Sequence, residues 1–311
     1  MSSPRLRTID SDYLGPGFAA CYLRVQGDEA AFIETNTAHA VPRLLAALAD
    51  EGLEPEQVRW VIVTHAHLDH AGGASALLRA CPRATLVAHP RAARHLVDPS
   101  RLVASAKSVY GEETFARMYG SLDPIPAERV RTVEDGDTID LGGATLRFLH
   151  TRGHANHHAV VHDPERRTVY TGDTFGLAYP RLQRAGRFAF ASTSPTDFDA
   201  AEARKSVDRV LALGTPTVCL THFGEVDRLD VMAEQLHRWI DRSQALLEKV
   251  PSLDPARAEE ELAKEIADAM QAEADAAGLL LDEDDWKLLD MDIRLNAQGL
   301  VFAANRAASR P

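Results

Sequence analysis

Cysteine is nearly missing from this chain: Cys21, Cys81 and Cys219 stand far apart among 311 residues, an odd number with no C-x-x-C pair. That argues against a disulfide framework, and three reduced, buried thiols are expected instead. Long apolar runs are missing too. No stretch approaches the roughly 18 uninterrupted apolar residues of a membrane helix. The opening Met1-Ser-Ser-Pro-Arg-Leu-Arg-Thr8 has no apolar segment of the signal-peptide kind. A cytoplasmic protein without a membrane partner is the expectation. Basic residues are outnumbered by acidic ones, 34 against 46, for a formal charge of −12. A surface of that sign repels phosphate backbones, so no nucleic-acid partner is expected. Nor is there a G-x-S-x-G element to carry a serine nucleophile.

What is present suffices for a large core, with 45% hydrophobic and 26% charged residues. From residue 18 to about 222, short β-like runs alternate with helical segments, which is an α/β pattern. Strands are predicted at 58–64, 85–88, 145–149, 159–162, 168–171 and 217–220. Helices are predicted at 40–51, at 74–80 and at 197–213, the last with Thr196 or Asp197 as N-cap and Gly214 as its stop. After about residue 227 strand-like runs vanish and Ala, Glu, Leu and Lys dominate. The chain thus divides into 1–226 and a helical extension at 227–311. Between Pro255 and Gly278 the residues Leu262, Ile266 and Met270 recur every four positions, with Ala258 and Ala274 extending the row. Such an apolar stripe either packs on the rest of the chain or pairs two subunits, and a homodimer through the C-terminal helices is the expectation. The acidic run Asp282-Glu-Asp-Asp285 lacks the Gly and Glu of a calcium loop and is expected to be a solvated helix start.

The chemistry concentrates in Thr64-His-Ala-His-Leu-Asp-His-Ala-Gly-Gly73, where His65, His67, Asp69 and His70 fall directly after a predicted strand. Loops at the carboxyl ends of strands are where α/β folds place their sites. Imidazole with carboxylate is a ligand set for zinc and other borderline divalent metals. In an extended loop His65, His67 and Asp69 share one side while His70 projects to the other, which suits two metals better than one. Gly72 and Gly73 are expected to let the chain turn tightly into the next helix. Further strand ends carry His154, Asp173 and His222.

This pattern resembles the metallo-β-lactamase-fold hydrolases, whose H-x-H-x-D-H motif matches His65, His67, Asp69 and His70 without a gap, with His154, Asp173 and His222 following in order. The resemblance covers roughly residues 15 to 225. It implies an α/β fold, a four-layer αββα sandwich with the site along one edge, here with a helical C-terminal extension. It also implies two divalent cations, zinc first, with iron or manganese as alternatives. By carry-over His65, His67 and His154 hold the first, Asp69, His70 and His222 the second, and Asp173 bridges both.

Departures narrow the expected activity. Asp173 stands where the cysteine-containing true β-lactamases place Cys, and His67 where flavodiiron-type members carry a carboxylate. Asp173-Thr-Phe-Gly-Leu-Ala-Tyr-Pro-Arg181 lacks the Gly-Cys-Gly-Arg-type stretch of glyoxalase II. Homoserine-lactone hydrolases offer a Tyr three residues past the bridging Asp; Gly176 stands there, and Tyr179 is the nearest substitute. His158 is a candidate to orient a ligand or contact substrate, as is Arg181 to receive an anionic group. The implied reaction is hydrolysis of a small ester, lactone or thioester by a metal-bound hydroxide, with Asp69 accepting or relaying the proton. Alternatives are a phosphodiesterase of the same fold, a mononuclear iron sulfur oxygenase using His65, His154 and Asp173, and a weakly catalytic sensor that keeps the metal cage.

Overall fold

The computed structural model describes residues 4–193 and 197–308, and it divides into two compact units. The first gathers the chain up to 150 with 157–172 and 215–227. One of its six-stranded sheets holds, edge to edge, β1 (Arg5–Asp10), β2 (Ala20–Gln26), β3 (Glu29–Ile33), β4 (Val58–Ile62), β5 (Thr85–Ala88) and β6 (Val130–Thr132). The first three are antiparallel, and β3 to β6 run parallel. The other sheet comprises β7 (Thr138–Leu141), β8 (Ala144–His150), β9 (Ala159–Asp163), β10 (Thr168–Gly172), β11 (Thr217–Leu220) and β12 (Gly224–Val226), antiparallel except for β10 with β11. The parallel connections carry α1 (Val41–Asp50), α2 (Leu68–Ala71), α3 (Ala74–Ala80), α4 (Pro90–Val97), α5 (Ser100–Tyr110) and α6 (Glu112–Tyr119).

Side-chain alternation sorts these strands into layers. Along β4, Val61 joins a core with Leu44, Leu48, Leu77 and Leu96 of the helices, and a register shift between Val58 and Trp60 breaks the alternation and puts Val58 in the same core. Trp60 and Ile62 turn the other way, onto Ile139, Phe148, Val161 and Tyr170 of the second sheet. Each such fully buried Leu, Ile or Phe contributes about 1.5–3 kcal/mol. Polar ties cross between the sheets: Tyr22 Oη donates to the Leu220 carbonyl at 2.5 Å, and Arg24 Nε to Asp163 Oδ2 at 2.6 Å with both side chains wholly buried. All three cysteines are free and buried, and burial drives their thiols well above the ordinary range.

The second unit takes 151–156, 173–214 and the chain from 228 onward. It contains α7 (Ala200–Leu211), α8 (Leu229–Lys249), α9 (Ala258–Ala276) and α10 (Glu283–Ala308). Leu262, Ile266 and Met270 are buried with Ala258 and Ala274, and α9 lies along α10. The stripe is thus covered inside the chain, and the dimer expectation loses the observation it stood on. No described helix is long and apolar enough to cross a membrane.

Two local expectations need correction. The cap of α7 is Asp199, which accepts from Glu202 N at 3.0 Å, because Asp197 is engaged by Arg306 at 2.6 Å instead; Thr196 lies outside the described residues. Asp282 and Asp285 do start a helix, each carboxylate accepting the other's backbone N–H at 2.9 Å in a capping box. That start is not solvated throughout, since Asp285 is fully buried against Arg181 and Arg184.

Candidate metal centre

The motif follows β4, but it is not an extended loop. His67 caps α2, so the alternation of sides ends there, and the helical turn swings His70 back until its ring lies 4.0 Å from that of His65. His65 and His67 meet edge to face, His65 Nε2 2.8 Å from His67 Nδ1. Gly72 and Gly73 have ordinary negative φ, so conformational freedom is not their role. A Cβ on Gly73 would sit 2.6 Å from the Thr35 carbonyl oxygen, and glycine lets the 34–37 segment lie directly against the motif.

That segment supplies a residue the spacing gave no sign of. Glu34, at the end of β3, is 1% exposed and holds φ +64, a left-handed conformation that costs a non-glycine residue about 1–2 kcal/mol. Its Oε1 accepts from Thr64 Oγ1 at 2.5 Å and Thr221 Oγ1 at 3.2 Å, and lies 3.1 Å from His70 Nδ1. Thr64 N donates to Oε2 at 3.3 Å. Because the Thr64 hydroxyl proton points at Glu34, its oxygen is left to accept from His65 Nδ1 at 3.0 Å. One buried carboxylate therefore orients two histidines, His70 directly and His65 through Thr64. Asn36 adds a bond from its Nδ2 to the Asp69 carbonyl at 2.9 Å.

The remaining candidate ligands follow the same logic. His222, after β11, has Nδ1 2.9 Å from the Phe18 carbonyl, an acceptor, so this nitrogen carries the proton and Nε2 presents a lone pair 3.3 Å from Asp69 Oδ2. His70, its Nδ1 against Glu34, brings Nε2 within 3.6 Å of the same oxygen. Ligand atoms of Asp69, His70 and His222 gather within 4.8 Å of one another, as do those of Glu34, His65 and His70. Two lone pairs converging on a carboxylate repel one another until a cation stands among them, so this donor set fits a divalent metal.

His154 and Asp173 belong to the second unit. His154 Nδ1 lies 3.3 Å from the Ser192 carbonyl and Nε2 3.4 Å from Asp173 Oδ2, again a tautomer aimed at a carboxylate. The preceding Gly153, with φ +119, is required because a Cβ there would lie 2.2 Å from the backbone nitrogen of Ala203 in α7.

The accessory candidates separate. His158 is fully buried in the first unit, its ring 4.8 Å from that of His65. Tyr179 and Arg181 turn toward α10 instead. Tyr179, wholly buried, donates to Asp292 Oδ2 at 2.9 Å. Arg181 forks onto Asp282 at 2.7 and 2.8 Å and onto Asp285 at 2.8 Å. That guanidinium holds the Asp282 carboxyl down at about 2.

Comparison with known proteins agrees with this fold. A metallo-beta-lactamase fold-containing protein, ST1585 of Sulfurisphaera tokodaii, is 26% identical over 193 residues, 61% of this chain and 69% of its own. The crystal structure of ST1585 from Sulfolobus tokodaii superposes with a TM-score of 0.66 at 22% identity, covering 95% of this chain and 97% of that one. A hydroxyacylglutathione hydrolase of Aeromonas hydrophila is 29% identical over 119 residues, 38% of this chain and 34% of its own. An atrochrysone carboxyl ACP thioesterase of Aspergillus fumigatus is 27% identical over 154 residues, 49% of this chain and 38% of its own. The family model described as Metallo-beta-lactamase superfamily matches residues 14–222, from ahead of β2 through the last motif histidine, and this chain belongs to that superfamily.

Proposed function

We propose that this chain is a dinuclear, zinc-dependent hydrolase of a small carboxylic ester, lactone or thioester, its seven motif ligands taking the roles the family pattern gives them. The observation that carries this reading is the arrangement around Asp69: two imidazoles with Nδ1 tied back to Glu34 and the Phe18 carbonyl, both Nε2 atoms aimed at one carboxylate. Bound there, divalent cations supply an acidified water and a Lewis acid for the scissile carbonyl. The chain's own part is to hold that chemistry in place. Glu34 and the Phe18 carbonyl fix the imidazole tautomers, and Asp69, the partly exposed member of the trio, takes up the proton of the attacking water.

The acyl class follows from charge and kinship. If two divalent cations were held, the charges of Asp69, Asp173 and one hydroxide would offset all but about one positive charge, enough for a single developing oxyanion. A chain of formal charge −12 offers no steering toward polyanionic phosphodiesters. Both named relatives with an activity carry acyl-hydrolase names, although each alignment spans little more than a third of the relative.

The test is a parallel panel of aryl esters, lactones, thioesters, bis-aryl phosphodiesters and a chromogenic cephalosporin under zinc, manganese and iron loading. The highest kcat/KM is expected on an acyl substrate with zinc, and Asp69→Asn is expected to cut kcat far more than it raises KM. Highest kcat/KM on the phosphodiester overturns the acyl assignment. One iron per chain with O₂-dependent turnover replaces hydrolysis by the oxygenase reading.

A further inference from the structure

Asn296 lies on α10, far outside the stretch that matches the family, and its side-chain amide is engaged in both senses by one short segment. Oδ1 accepts from Thr193 N at 2.7 Å and from Thr193 Oγ1 at 3.1 Å, and Nδ2 donates to the Ala191 carbonyl at 3.5 Å. Thr193 Oγ1 also lies 3.1 Å from the Asn296 carbonyl. Both residues are buried, Asn296 at 5% and Thr193 at 1% exposure. Between the two clamped positions stands Ser192, whose carbonyl faces His154 Nδ1 at 3.3 Å. A carbonyl only accepts, so it selects the tautomer with the proton on Nδ1 and leaves the Nε2 lone pair toward Asp173.

We propose that Asn296 is a positioning residue of the metal centre: by clamping Ala191 and Thr193 it fixes the Ser192 carbonyl that sets the tautomer and orientation of His154. The chemistry of the side chain supports this. The segment offers an N–H and a hydroxyl on one flank and a carbonyl on the other, and a primary amide matches both at once. Aspartate keeps the first match and sets an acceptor against the second; an aliphatic residue leaves the buried Thr193 N–H without that acceptor. Two more residues of α10 reach the same loop, Asp285 to Arg181 and Arg184, and Asp292 to Tyr179. Positions 285, 292 and 296 fall at i, i+7 and i+11, one face of a helix. The helical tail thereby acts on the two members of the ligand set, His154 and Asp173, that the second unit carries.

The inference rests on the metal-centre reading above, and its test reads the metal-free ring as well as metal affinity. Full-length protein labelled with ¹⁵N-histidine gives the two ring shifts of His154, and competition with a chromophoric chelator gives zinc affinity. Wild type is expected to show one tautomer, with Nδ1 protonated. In Asn296→Ala the two ring shifts should move toward each other as tautomers exchange, and zinc affinity should fall by about tenfold. Asn296→Asp should give a smaller change in the same direction, and it carries the test if the alanine variant does not fold. Leu289→Ala, a fully buried apolar position on the same helix, controls for loosened packing and should lower Tm while leaving ring shifts and affinity unchanged. Unchanged shifts and affinity in both Asn296 variants overturn the proposal. So does a Leu289→Ala protein that loses as much affinity at matched Tm. If wild type binds no zinc, the functional reading fails and the metal-free ring shifts alone decide the positioning role.

Discussion

Glu34 Oε1 lies 3.1 Å from His70 Nδ1 while accepting the hydroxyl protons of Thr64 and Thr221, so one buried carboxylate braces the motif from beneath. Glu34→Ala leaves two hydroxyls and an imidazole N–H around a buried gap. The expected cost is about 2–4 kcal/mol of stability and a 10- to 100-fold loss of zinc affinity. Glu34→Gln keeps one acceptor and should fall between wild type and alanine. Thermal unfolding and chelator competition measure both, and an affinity within twofold of wild type in Glu34→Ala would show that the carboxylate supports the fold alone.

The Arg181, Arg184 and Asp285 cluster commits Arg181 to a structural task. Asp285 is buried and both arginines are half exposed, so Asp285→Ala strands no buried charge. The expected loss is about 1–3 kcal/mol in urea unfolding, a difference that shrinks as salt rises. Arg181→Ala should likewise lower stability while KM for anionic esters stays within about twofold. A large rise in KM without a stability change would instead place that guanidinium on substrate.

Acid sensitivity has a source at His89, the cap of α4, whose Nδ1 accepts from Arg91 N at 3.0 Å. Burial, with help from His150, His157 and Arg91, pushes its pKa down from 6.5 to about 4. The folded form therefore binds the proton more weakly than the unfolded one. This stabilisation is complete above pH 6.5 and is lost as pH falls toward 4, by about 3 kcal/mol at most. His89→Asn retains a capping acceptor that does not titrate. Measured on metal-free protein, the stability gap between wild type and His89→Asn should shift steadily across that window. Parallel pH profiles would assign the acid loss to other groups.

Legibility followed the strength of local pattern. The runs 85–88 and 217–220 return as β5 and β11 residue for residue, because β-branched and apolar side chains fill positions buried on both faces. Helix 74–80 returns as α3. By contrast β3, Glu-Ala-Ala-Phe-Ile, is two-fifths alanine and has little strand propensity of its own. It is a strand because it pairs with β2 and, in parallel, with β4, Ile33 opposite Ile62, and that pairing helps bring Glu34 beneath His70. No spacing rule reaches from residue 34 to 70. The tautomer of His154 was equally hidden, since it depends on a carbonyl at 192 and an amide at 296. The seven candidate ligands stood out because four crowd one motif after a strand and the other three each follow a strand end, whereas the groups that orient them are single residues far away in the chain.

The interleaving of the two units gives synthesis an order. Everything in the unit of two sheets has been made once residue 227 is added, with His65, His67, Asp69, His70 and His222 among it. Residues 151–156 and 173–214, already made by then, belong with helices still to come. At ribosomal speeds of roughly 5–20 residues per second, the nascent chain waits several seconds between the closing of the sheets and the arrival of Asn296. During that interval His154 and Asp173 lack the helix that braces their loop. A chain released early at residue 227 would carry every motif ligand and still be unable to finish its second unit. Maturation of the second unit is therefore expected to be gated by α10, with stable metal loading following its synthesis.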